Sequence, residues 1–537
     1  MAMTSAKRSC SNCGTALGRD NPSILCSPCQ RAESRRPVLP SQQPTQGPWL
    51  YSSQQQTAPP DGSQLGELLR EYRDLHGLTQ IQLAALVGVD QSYVSMIERN
   101  KRQVRDVGEL RRFAEALGLP EDELGLAPLG FAARLTEAPA TPATGPAKPQ
   151  EALGEQQRWR HVRRALNSHR LELSRAAAAF YADIPRAGQS LVLAKPEWMA
   201  PTPVDLSDVS LTWINQDTPP LVTGVEPESR AVRPMSAQGR PFGRYSQAIR
   251  IVDPPRLFDN RLSYRLLEVD WSGGVADLAF GYTMYFDMFD VCEGLAHETA
   301  QGWIDAASDP NWLDAPAAAL PFRKLIGDPF DLSRRPLLPS IDTLTIRLGR
   351  AGEDPSFVLH HRSSASVAIA GDTYHVMPAG VFQPSSPFPA HQSNDFNLWR
   401  NMMREYAEEF LGLPEADGNS SEPIDYQHTE PYRALSRARR SGQARAWCFG
   451  IGLDPLTLAG EILTTVVFDP DVFDELFVDM VNQNMEGTVV STSPDRFSSG
   501  IPFTEDNVRR LLDHEPLAPA AAACLSLAWE HRGTVLG

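Results

Sequence analysis

From Gln64 the apolar positions fall at a helical period. Leu65, Leu68, Leu69, Tyr72 and Leu75 lie at i, i+3, i+4, i+7 and i+10, one face of a helix that Gly77 ends. Thr79 with Gln82 three residues on is a capping-box pattern for a second helix, with Leu83, Ala84 and Val87 inward. Gly88 supplies the turn that follows. Asp90 stands where a cap belongs for a third helix over 91–100, whose inward residues are Val94 and Ile97. Asp106 with Glu109 repeats the cap pattern for a fourth helix carrying Val107, Leu110, Ala114 and Leu117. Gly118 closes it, and Pro120 opens a short fifth helix ending near Leu124. The pattern predicts an all-α, five-helix domain over 64–126.

Beyond that block the periodicity is mixed. Residues 155–182 read as one helix bearing Arg158, Arg160, Arg163, Arg164 and Arg170 beside Trp159. Residues 356–386 alternate as a strand hairpin with a turn at Gly371-Asp372, and 397–415 return to a helical period. On that helix Glu405, Glu408 and Glu409 share a face, either a solvated surface or a set of carboxylates able to share a hard cation such as Mg²⁺. A stretch dense in Tyr, Phe and Arg over 241–300 reads as core and rim rather than as a nucleotide clamp. His297-Glu298 opens an HExxH pattern, but Gln301 stands where its second His is needed.

Composition sets the boundaries. Residues 31–63 and 127–154 are rich in Pro, Gln, Ser, Ala and Thr and read as linkers. They separate 1–30, 64–126 and 155–537, the last read in two parts, 155–340 and 341–537. With 537 residues, more than one domain is expected. No apolar run approaches a membrane span, and a cytoplasmic protein is expected. The net charge of −16 confines any nucleic-acid contact to a local patch. It also favours packing of the arginine-rich helix against the acidic remainder over a wider DNA footprint.

Four of the seven cysteines fall in the first 29 residues, as Cys10-x2-Cys13 and Cys26-x2-Cys29 with twelve residues between. Two such knuckles supply the four thiolates of a Zn²⁺ tetrahedron, with two disulfides as the alternative. Cys292, Cys448 and Cys524 are scattered, as buried small apolar residues are.

The stretch LTQIQLAALVGVDQSYVSMIERNKR closely resembles the XRE (lambda-repressor-like) family of helix-turn-helix domains. The resemblance implies that Gln80 contacts phosphate and braces the next helix. It places Gln91, Ser92 and Ser95 on the exposed side of a recognition helix in the major groove, where Gln91 can pair bidentately with adenine. Asn100, Lys101, Arg102 and Arg105 then hold phosphates, and Arg73 with Glu98 forms a structural ion pair. Farther on, Pro378-Ala379-Gly380 and Arg404-Glu405-x2-Glu408-Glu409 resemble parts of the Nudix box. The spacing departs from that family: 23 residues separate Gly380 from Arg404, with no Glu among them. If the box is active, Glu405, Glu408 and Glu409 hold Mg²⁺.

The expected fold is multidomain: a small zinc ribbon, a five-helix helix-turn-helix domain, and a large α+β C-terminal region with Nudix likeness. The expected function is sequence-specific transcriptional regulation on double-stranded DNA, with the C-terminal region sensing a nucleotide-like ligand or a partner, as a monomer or homodimer. The alternative is a Mg²⁺-dependent hydrolase of nucleoside-diphosphate compounds with an attached DNA-binding domain. Since a segment of 30 residues has little core of its own, its fold depends on the metal. Chelation is expected to release a single Zn²⁺ per chain and abolish ordered amides in 1–30 while the 64–126 helices persist; an N-terminus indifferent to metal overturns the zinc assignment.

Overall fold

The computed structural model describes residues 64–99, 101–102, 104–118, 149–214, 218–255, 258–271, 276–306, 320–362, 373–387, 389–416, 423–478, 480, 487–490 and 500–537. The cysteines of the expected zinc ribbon, Asn100, the expected fifth helix near 120–124 and the expected Gly371-Asp372 turn lie outside these. The chain divides into two compact units. One takes Gly66–Arg102 and Glu115–Leu119; the other takes Gln103–Ala114 and Pro120–Gly537.

Four helices come first: α1 (Gln64–Leu75), α2 (Gln80–Val87), α3 (Gln91–Glu98) and α4 (Val107–Leu117). The apolar stripes are buried as the periodicity predicts, with Leu69, Leu83 and Val94 at 0% exposure. Leu75 departs from its stripe and is 69% exposed. It is the last residue of α1, where the chain turns away through Gly77 at φ 64°, so no further turn covers it.

The larger unit opens with α5 (Pro149–Ser168) and α6 (Arg170–Ala179). The single helix expected over 155–182 is broken at His169, whose backbone leaves the helical region at φ −127°, ψ 30°. There follow β1 (Met199–Asp205), β2 (Val209–Trp213), α7 (Tyr245–Val252), β3 (Leu262–Asp270) and β4 (Ala276–Met284). Next come α8 (Tyr285–Asp305), α9 (Pro321–Ile326), β5 (Pro339–Arg347), β6 (Ser356–Phe357), β7 (Leu359–Arg362), β8 (Tyr374–Val376) and β9 (Ala379–Val381). The chain then forms α10 (Pro389–Asp395), α11 (Leu398–Glu405), α12 (Tyr432–Arg440), β10 (Ala444–Leu453) and β11 (Gly460–Phe468). It ends with α13 (Pro470–Leu476), β12 (Gly487–Val490), β13 (Ile501–Pro502), α14 (Glu505–His514) and α15 (Pro519–Glu530), before a last short turn of helix.

The principal sheet runs β1-β10-β11-β5-β6-β13, with β9 also paired to β5. Its central pair, β11 with β5, is parallel; the other pairings are antiparallel. Alternate residues face opposite sides, as a pleat requires. Leu344, Ile346, Leu463 and Val467 pack with Ala521, Ala528 and Leu525 of α15. Ile341, Ile462 and Val466 pack with Met402 and Tyr406, and with Leu435 of α12. The sheet is therefore sandwiched between helices. The boundary expected at 340 falls inside β5, and β1 pairs with β10, so 155–340 and 341–537 share one sheet rather than forming separate regions. A second sheet, β2-β4-β3, and a third, β12-β7-β8, complete the unit; the β7–β8 pair is the expected hairpin.

Helix α8 is buried through most of its length although it carries Asp287, Asp290, Glu293, His297 and Glu298. Each carboxylate meets donors. Arg244 reaches Asp287 at 3.1 Å and Asp290 at 2.9 Å, and Arg163 and Arg170 reach Glu293 at 2.9 and 2.8 Å. Burial alone would raise Glu293, but the two guanidiniums outweigh it and hold the carboxyl below its ordinary value. The arginine-rich helices thus pack on an acidic helix, as the charge balance favours. Glu298 accepts from Phe322 N (2.7 Å) and Arg323 N (2.9 Å) at the start of α9, and His297 Nδ1 lies 3.0 Å from Tyr245 Oη. The aromatic stretch is interior: Tyr245, Phe280 and Phe289 are each at most 1% exposed. Cys292, Cys448 and Cys524 are buried, and burial pushes the first two thiols up to about 12. Among the described residues no helix is long and apolar enough to cross a membrane.

On the central strands, Ser340 Oγ lies within hydrogen-bond distance of both Asp342 (3.2 Å) and Glu461. Burial, and then the Asp342 carboxylate beside it, raise Glu461 well above its ordinary 4.5. Glu461 therefore stabilises the fold in its protonated form, a contribution complete below about 4.5 and lost as pH climbs through the raised value. Glu461→Gln is expected to gain urea stability over the parent progressively as pH rises from that point, and a pH-independent difference between the two would contradict this.

Candidate nucleic-acid interface

Local chemistry shapes the turn between α2 and α3. Thr79 Oγ1 accepts from Gln82 N at 3.3 Å, and Gln82 Oε1 accepts from Thr79 N at 2.9 Å, the full capping box. Gly88 takes the left-handed region at φ 75°, which a residue with a Cβ adopts only under strain. Ala84, 2% exposed, leaves room for the helices to approach. Asp90 occupies the cap position of α3 in extended backbone, but its side chain makes no cap bond; its carbonyl receives Tyr93 N (3.0 Å) and Val94 N (3.2 Å). At α4 the expected cap is made, Glu109 N donating to Asp106 Oδ1 at 2.9 Å.

Glu98, 4% exposed, organises the polar side of these helices. Its Oε1 receives Arg73 Nε at 3.1 Å, and its Oε2 receives Gln80 Nε2 at 2.7 Å. Arg70 Nε donates to the Glu98 carbonyl at 2.8 Å. A carboxylate only accepts, so Gln80 must turn its amide nitrogen towards it. The Gln80 Oε1 then faces away and accepts from Gln91 Nε2 at 2.8 Å. By the same logic Gln91 spends one N–H on Gln80 and keeps its Oε1 and second N–H for an outside partner. That acceptor–donor pair matches the major-groove edge of adenine.

The structure brings most of the expected contact residues to this side. Gln91, Ser92, Lys101 and Arg102 are exposed, as is Met96. Ser95 is buried at 9%: it lies among Val94, Ile97 and Glu98 on the inward half of α3 and is removed from the expected base-reading set. Arg105 lies 2.9 Å from Glu415 within the larger unit, where Arg261 also meets that carboxylate. Burial would raise Glu415, but the guanidiniums, Arg261 foremost, hold it at about 2. Arg105 is thus an internal ion-pair partner rather than the expected free phosphate contact. Sequence reasoning missed Arg70 and Tyr93. Arg70 binds a backbone carbonyl, which no residue pattern announces; Tyr93 carries Arg102 over its ring at 4.8 Å, a contact across the end of α3 that helical spacing does not predict.

The Nudix-like pattern is brought together in part. Glu409 Oε1 accepts from Ala379 N at 3.3 Å, and a Cβ on Gly380 would fall 2.2 Å from the Glu405 carboxyl carbon. The helix continues past Glu405 as a wider turn over Tyr406–Phe410, on which Glu408, like Glu405, is half-buried while Glu409 is buried. Among the described residues no three His, Cys, Asp or Glu side chains converge as a metal-ligand set.

The helix-turn-helix family model matches residues 69–124. This segment is an XRE-type helix-turn-helix. No curated protein matches the chain. Within the helix-turn-helix, Glu98→Ala is expected to cost about 1–3 kcal/mol of stability, since Arg73 and Gln80 lose a buried acceptor. It should also free the Gln91 amide, so that discrimination between sites falls more than overall affinity. Measured binding with unchanged discrimination would sever Gln91 from the relay.

Proposed function

We propose that this chain is a sequence-specific transcriptional regulator that reads double-stranded DNA through α3, with Gln91 as its base-reading residue. The observation that carries the reading is the Glu98–Gln80–Gln91 relay, which presents one amide edge at the exposed start of α3. Ser92 lies beside Gln91 on the major-groove side, and Asn100, Lys101 and Arg102 supply phosphate contacts that set register rather than sequence. The acidic remainder leaves the attraction to DNA local, and a homodimer placing two such helices one helical turn apart would double the contact. The Cys10, Cys13, Cys26 and Cys29 module adds a Zn²⁺-dependent contact to DNA or protein. The 155–537 region serves as a sensor of a nucleotide-like ligand or a protein partner; a large α+β unit in the same chain as a DNA-binding motif supports that role.

The test starts from a duplex selected by the full chain from random oligonucleotides. Gln91→Ala is expected to weaken binding to the selected duplex by about 1–3 kcal/mol, with little change on random DNA. Equal losses on both remove Gln91 from base readout, and failure to enrich any duplex overturns the regulator reading.

A further inference from the structure

Arg102 lies four residues beyond the end of α3 and is exposed, yet its guanidinium is not adrift. Its carbon sits 4.8 Å from the centre of the Tyr93 ring. Tyr93 belongs to the first turn of α3, its amide bonded to Asp90 O at 3.0 Å, beside the exposed Gln91 and Ser92. Neighbouring arginines are engaged otherwise: Arg73 pairs with Glu98 and Arg105 with Glu415. No carboxylate among the described residues pairs with Arg102. A guanidinium held against a ring face keeps its N–H edge open for an anion, and it surrenders less freedom when it binds one.

We propose that Tyr93 is a positioning residue that draws Arg102 back alongside the start of α3 and aims its N–H edge at a DNA phosphate. This rests on the DNA-binding reading above and adds to it the residue that places the phosphate contact. The relay through Gln80 and Gln91 orients the base reader; the ring of Tyr93 orients the register-setting cation beside it.

The experiment uses the full chain and a duplex it selects from random oligonucleotides, with affinity measured across a salt series. Arg102→Ala is expected to flatten the dependence of log affinity on log salt by about one phosphate contact. Tyr93→Leu, which keeps apolar bulk but removes the ring, is expected to weaken binding roughly two- to fivefold and flatten the slope in the same direction. Tyr93→Phe should restore both. In the Arg102→Ala background, Tyr93→Leu should add no loss. A loss from Tyr93→Leu that is undiminished when Arg102 is absent, or a salt slope untouched by Arg102→Ala, overturns the proposal. A parent chain that selects no duplex overturns the DNA-binding reading itself, and the proposal with it.

Discussion

A carboxylate removed from water has to be met by donors, and this protein applies that constraint in both of its units. Glu98 is met by Arg73 and Gln80; Glu293 is met by Arg163 and Arg170. In the larger unit the pairing joins α5 and α6 to α8, a helix too acidic to be buried otherwise. Breaking such a pair on one side leaves an uncompensated charge, typically costing about 3–5 kcal/mol. In the helix-turn-helix the same constraint has a consequence beyond stability. An acceptor-only group at the base of the relay decides which end of each amide points outward.

The two amide-bearing residues act as a transmission of polarity rather than as independent contacts. Gln80 has its nitrogen committed to Glu98 and its oxygen to Gln91. The exposed start of α3 thereby acquires one preferred arrangement before any DNA arrives, which reduces the ordering cost of recognition. Such preorganisation suits a domain in a chain of net charge −16, where long-range attraction to a polyanion is weak and the short-range fit has to supply specificity.

The Nudix-like pattern is legible in part as local structure. Its glycine and two of its glutamates do approach one another, Glu405 at Gly380 and Glu409 at the Ala379 amide. The helix widens over Tyr406–Phe410, and Glu409 spends an oxygen on backbone.

The order of polar and apolar residues by itself determined the four described helices of the helix-turn-helix, its capping box at Thr79 and Gln82, the left-handed turn at Gly88 and the exposure of Gln91. All of these are contacts within a few residues, where helical period and cap chemistry act without reference to the rest of the chain. Tertiary structure alone decided that Ser95 faces inward, that Leu75 is left uncovered, that Arg105 answers to Glu415, and that residues on both sides of 340 share one sheet. The partner of Arg105 is 310 residues away and β1 pairs with a strand still farther along the chain than β5; such approaches are set by packing and by the desolvation of charge, and no local period encodes them.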